Sequence, residues 1–96
     1  MLKILKITGQ SMSPMLKDGD YTIVLTRGFR RLLKPGRLVA FRHDRYGPLI
    51  KRIVRCDADS ATLTVAGDST LSATSEAIGP VPLADVTGVG LLPIRA

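Results

Sequence analysis

The sequence has no tryptophan, and only two tyrosines and two phenylalanines. Aliphatic side chains must therefore build the core. The scarcity of aromatics also argues against single-stranded nucleic-acid binding, which uses stacking platforms. There is one cysteine, Cys56, which excludes an internal disulfide and a cysteine metal cluster. Cys56 lies in the apolar run IVRC, so a buried, reduced thiol is expected. The single histidine, His43, has no second histidine to form a zinc pair, and a solvent-facing or hydrogen-bonded ring is expected. No apolar run approaches the roughly 20 residues that span a bilayer. The start, MLKILKITG, is too short and too interrupted by lysine for a signal peptide. The chain reads as soluble and cytoplasmic, and no cofactor or metal is called for.

Acidic residues are scarce in the middle of the chain. Between Arg27 and Arg55 ten basic residues face one acid, Asp44, while Cys56 to Ile94 holds five acids and no base. The formal net charge is +6. A basic block of this kind attracts an acidic peptide, anionic lipid headgroups or nucleic acid. A solvated strand surface accounts for it equally well.

At 96 residues and 45% hydrophobic content, the chain is expected to form one small domain, residues 1–96, with a modest core. Short apolar segments rich in β-branched residues recur between turn signals, which favours strands. LKILKIT, DYTIVLT, RLVAFRH, PLIKRIVR, ATLTVAG and DVTGVGLLPI read as strands. RGFRRLLKPG reads as a short helix or a basic loop ended by Pro35-Gly36, and Arg45-Tyr46-Gly47-Pro48 as a hairpin loop. DSTLSATSEAIGPVP reads as a polar loop. The glycines of the last strand imply a bulge or a close backbone approach. The expected fold is all-β: a small barrel-like domain with short helical turns.

Two segments carry chemistry. In GQSMSPMLKDGD, Ser11 sits in a turn ahead of a Gly19-Asp20 step into a strand. A serine hydroxyl is a weak nucleophile and needs a base. In PLIKRIV, strand alternation puts Leu49, Lys51 and Ile53 on one face, and Ile50, Arg52 and Val54 on the other. A lysine between two apolar neighbours is placed for desolvation, which favours the neutral amine a base must be. Each segment alone is ordinary: a turn serine, and an edge lysine snorkelling past apolar neighbours.

Together, and in this order, they resemble the clan of type I signal peptidases and LexA-like autoproteases. GQSMSPMLKDGDYTIV resembles the nucleophile box, KPGRLVAF the next box, PLIKRIV the box of the general base, and VAGDSTLSATSEAIGPVPLADVTG the last box. The resemblance implies a signal-peptidase/LexA-type catalytic core. It makes Ser11 the nucleophile, Lys51 the general base and Ser72 the hydroxyl that orients the base. The Ser11 backbone N–H becomes an oxyanion donor. Gly9 stands where many signal peptidases carry a second, side-chain donor, so that donor is unassigned. The last box departs furthest. Ser69 replaces an asparagine, and Thr74 and Glu76 stand where an Asp and an Arg form a supporting ion pair. In the second box Arg37 replaces an Asp.

Ten residues precede Ser11, without a DNA-binding segment, so cleavage of another protein is expected over self-cleavage. The chain resembles the small members of the clan that remove propeptides, such as maturation proteases for nickel superoxide dismutase. The implied partner is a protein with a leader or propeptide, bound as an extended strand. Peripheral contact with an anionic membrane is compatible with the basic block. The alternative is a non-catalytic basic β-domain binding nucleic acid or an anionic surface. Steep salt dependence of nucleic-acid affinity distinguishes it.

Overall fold

The computed structural model describes residues 1–7, 19–67 and 78–94. Seven strands form one sheet: β1 (Leu2–Lys6), β2 (Tyr21–Leu25), β3 (Leu38–His43), β4 (Gly47–Asp57), β5 (Thr62–Ala66), β6 (Val81–Pro82) and β7 (Val86–Ile94). Their spatial order is β1-β2-β7-β3-β4-β5-β6, and every pairing is antiparallel. The fold is all-β, as the spacing of apolar runs and turns predicts. Helical structure among the described residues is confined to short turns, including 3₁₀ turns at Arg30–Leu32 and Leu83–Asp85. RGFRRLLKPG is thus a 3₁₀ turn followed by a Pro35-Gly36 turn.

Strand alternation sorts the side chains onto two faces. Val39 pairs with Lys51 and Phe41 with Leu49, while Ile53 pairs with Val65. This face carries the main core: Val39, Phe41, Ile53, Leu63, Val65, Ile78, Val81 and Val86. Phe29, Leu33, Leu49 and Leu83 pack against its margin. The opposite face of β3 and β4 holds a smaller cluster of Ile7, Leu38 and Ile50. In β2 the buried side chains are Thr22 and Val24, while Tyr21 is exposed.

Bulges bend the sheet. Register shifts occur between Ile23 and Val24 against β7, between Ala40 and Phe41 against β7, and between Ile53 and Arg55 against β5. The last turns Val54 outward, where it is 54% exposed. The glycines of β7 do allow close approach. A Cβ on Gly88 would collide with Val24 Cγ1 and lie 2.9 Å from the Leu25 carbonyl oxygen, and one on Gly90 would lie 2.9 Å from Leu38 Cβ.

Three sequence readings are corrected. The β3–β4 hairpin turns at residues 44–46, and Gly47 and Pro48 are already strand residues paired with His43 and Arg42, not part of the loop. Val81–Pro82 is a strand, pairing with Leu63 and Thr62, not part of a polar loop. Cys56 is exposed, not buried. It lies one residue before the turn at Asp57, where β4 runs past the core, and its Sγ–H donates to the Leu33 carbonyl at 3.2 Å.

Candidate active site

Lys51 is buried, with 2% of its surface exposed. It stands on β4 between Leu49 and Ile53 and opposite Val39, on the core face, as strand alternation predicts. Burial penalises the ammonium form and lowers the Lys51 pKa below its ordinary value of 10.5. A lysine in this state holds a larger fraction of neutral amine near neutral pH than a surface lysine. Its neighbour Arg52 points to the other face, where Nη1 donates to the Gly36 carbonyl at 2.7 Å. Adjacent positions on one strand thus give one desolvated and one half-exposed cation.

Ser11 and Ser72 lie outside the described residues, but the ends of their segments do not. Ile7 N–H donates to the Asp20 carbonyl at 2.7 Å, and Gly19 N–H to the Ile7 carbonyl at 2.9 Å. The segment containing Ser11 therefore leaves and rejoins the sheet at one paired point. Gly19 takes φ +92°, a conformation that favours glycine. Asp20, which follows, is buried.

The segment containing Ser72 begins after β5. Ala66, the last residue of β5, pairs with Arg52, so the segment departs from β5 beside the neighbour of Lys51 in β4. Its far end is fixed by His43. Backbone N–H groups of Arg45 and Tyr46 point at His43 Nδ1, at 3.0 and 3.3 Å. These groups can only donate, so Nδ1 carries the lone pair and Nε2 the hydrogen. Nε2–H then donates to the Ile78 carbonyl at 2.8 Å. The ring ties the β3–β4 hairpin tip to the residue where the last box re-enters the core. His43 is hydrogen-bonded, as one of the two expected states. Its partner lies 35 residues away, which no local pattern reveals.

A groove of about 630 Å³ runs between β1 and the β3–β4 hairpin. Leu5 and Ile7 line one side, and Pro48, Leu49 and Ile50 the other. In sequence, Ser11 follows the first wall by four residues and Lys51 follows the second directly, although Lys51 is not among the described lining residues. β1 is an edge strand of the sheet and, among the described residues, pairs only with β2.

Residues 1–72 match the Peptidase S24-like family, a span that includes Ser11, Lys51 and Ser72. The chain belongs to the Peptidase S24-like family. The antiparallel sheet is consistent with an S24-like peptidase fold, and the resemblance to LexA-like proteins is supported over three quarters of the sequence. No curated protein matched the chain. Among the described residues of this S24-like chain, no group of three or more His, Cys, Asp or Glu side chains gathers to hold a metal ion. Among them, too, no helix is long and apolar enough to cross a membrane.

Proposed function

We propose that this S24-like protein is a serine endopeptidase acting through Ser11 and Lys51, and that it removes a leader or propeptide from a partner protein. Ser11 Oγ attacks the scissile carbonyl while Lys51 Nζ takes its proton. The Ser11 backbone N–H stabilises the oxyanion. Lys51 then protonates the leaving amine, which departs and leaves an acyl-enzyme. In the second half, Lys51 activates a water that releases the acyl group. Ser72 holds the amine in position by a hydrogen bond.

The observation that carries this reading is the burial of Lys51 on the core face of β4. A charged side chain is rarely fully buried without a purpose that offsets its desolvation. The structural alternative, a snorkelling edge lysine, requires an exposed amine end and an edge strand. β4 is interior, between β3 and β5. The groove beside β1 supports an extended substrate bound by main-chain hydrogen bonds to that strand.

The test is cleavage of candidate leader-bearing proteins by the wild type, Ser11→Ala and Lys51→Ala. Both variants are expected to fold and to lose cleavage by ~10⁴-fold or more. Undiminished cleavage by either variant rules out the dyad.

A further inference from the structure

We propose that the groove between β1 and the β3–β4 hairpin selects polypeptides carrying acidic side chains, with Lys3 and Arg42 as the selecting residues. This deepens the peptidase reading, on which it rests for taking an extended polypeptide as the occupant.

The described lining of the groove holds three cations, Lys3, Lys6 and Arg42, and no carboxylate. All three are exposed at its margin, while Ile7, Ala40 and Phe41 beneath them are buried. Lys3 and Lys6 stand three residues apart on β1, a span of about 10 Å along an extended strand. Arg42 stands across the groove on β3, paired with Pro48. Strand alternation puts Lys3 on the face of β1 that carries Leu5 and the buried Ile7, and Lys6 on the alternate, exposed face with Leu2 and Ile4, so Lys3 and Arg42 are the cations that meet across the groove from its two walls. They are brought together by folding: Lys3 and Lys6 lie outside the basic block of the sequence, and Arg42 lies inside it. The arginines of the 3₁₀ turn, Arg30 and Arg31, line a different surface depression.

Apolar walls concentrate the field of charges at a cleft margin, so a carboxylate entering here gains more than on an open face. An exposed pair alone is worth a factor of about 1.5 to 5 in affinity. Two acidic side chains meeting Lys3 and Arg42 therefore give roughly tenfold discrimination. Apolar contact with Leu5 and Ile50 and strand pairing along β1 supply affinity common to every sequence, and the cations supply the difference.

The experiment uses two labelled peptides of small residues, identical except that one carries two glutamates where the other carries glutamines. Binding is measured by fluorescence anisotropy on Ser11→Ala, so cleavage does not enter the result. The glutamate peptide is expected to bind about tenfold tighter. The double reversal Lys3→Glu, Arg42→Glu is expected to abolish that preference. The control reversal Arg30→Glu, Arg31→Glu changes net charge equally and is expected to keep most of it. Amide NMR shifts on binding are expected at Lys6, Leu49 and Ile50, which also reports that each variant is folded. Equal affinity for the two peptides, or none for either, overturns the proposal. So does a preference that survives the groove reversal, or one lost equally in the control. Undiminished cleavage of a leader-bearing protein by wild-type-like Ser11→Ala would instead remove the peptidase reading and leave the binding preference standing.

Discussion

At the residue scale, Lys51 concentrates both the cost and the use of this fold. In the unfolded chain a lysine keeps its proton up to a pH of about 10.4. In the folded chain Lys51 loses it at a lower pH, because burial penalises the ammonium. Below the folded value both states are protonated, and the full cost of burial is present. Between the two values the unfolded state binds the extra proton, so stability rises with pH through that window. Lys51→Met removes the buried amine while conserving much of its volume. The expected result is a flatter dependence of melting temperature on pH than the wild type shows through this window, and loss of cleavage at every pH. Wild-type cleavage should rise with pH, with an apparent pKa below that of a free lysine. A methionine variant whose melting temperature rises with pH through this window as steeply as the wild type's would contradict the account. The burial of Lys51 was legible in sequence because three alternating positions, 49, 51 and 53, agree on one face. The exposure of Cys56 was not legible. The same apolar run continues to it, but the bulge at Val54 and the end of the core both intervene.

At the element scale, the turns and close approaches show where local sequence rules decide stability. Asp57 Oδ1 accepts N–H bonds from Asp59 at 3.0 Å and Ser60 at 3.3 Å, shaping the β4–β5 turn. These bonds, those to Ser60 foremost, hold its carboxyl below the ordinary value of 3.8. Their contribution is therefore present above that value and lost as pH falls through the folded one. The same turn ends at Ala61, which sits at φ +53°, a left-handed conformation that costs a residue with a Cβ about 1 kcal/mol. Ala61→Gly is therefore expected to stabilise by ~0.5 kcal/mol, after the extra unfolded-state entropy of glycine is subtracted. Gly88→Ala is expected to act in the opposite direction. Its Cβ meets the Val24 side chain and the Leu25 carbonyl, so β2 and β7 must separate, at a cost of ~1–3 kcal/mol or more. Urea titrations of the two variants check both signs. The glycines of β7 were informative in sequence because a strand rarely tolerates them without a packing reason. β6 was not readable, because two residues, one of them proline and preceded by another proline, carry no period. Only pairing with Thr62 and Leu63 defines that strand. The order of the sheet was equally hidden, since β7 inserts between β2 and β3 through contacts far apart in the chain.

At the scale of the whole molecule, folding divides a basic block that looks uniform in sequence. Of the cations between Arg27 and Arg55, Lys51 is buried and Arg52 half-buried, while the other eight are exposed. The net charge of +6 is thus borne mainly at the surface of a molecule with a radius of gyration of 12.2 Å. At an ionic strength of about 0.01 M the Debye length is ~30 Å, so surface cations repel one another across the whole molecule. At about 0.15 M it is ~8 Å, and repulsion is confined to near neighbours. Adding salt over this range should therefore raise the melting temperature, because self-repulsion destabilises the compact state. The same salt should weaken binding of the glutamate peptide, mainly through a slower association rate, because long-range attraction is screened as well. The glutamine peptide should show little change. Opposite trends in stability and acidic-peptide affinity are the signature of one surface charge serving recognition at a cost to folding. If salt strengthened glutamate-peptide binding, or weakened both peptides alike, the cations at the groove would not be what distinguishes them.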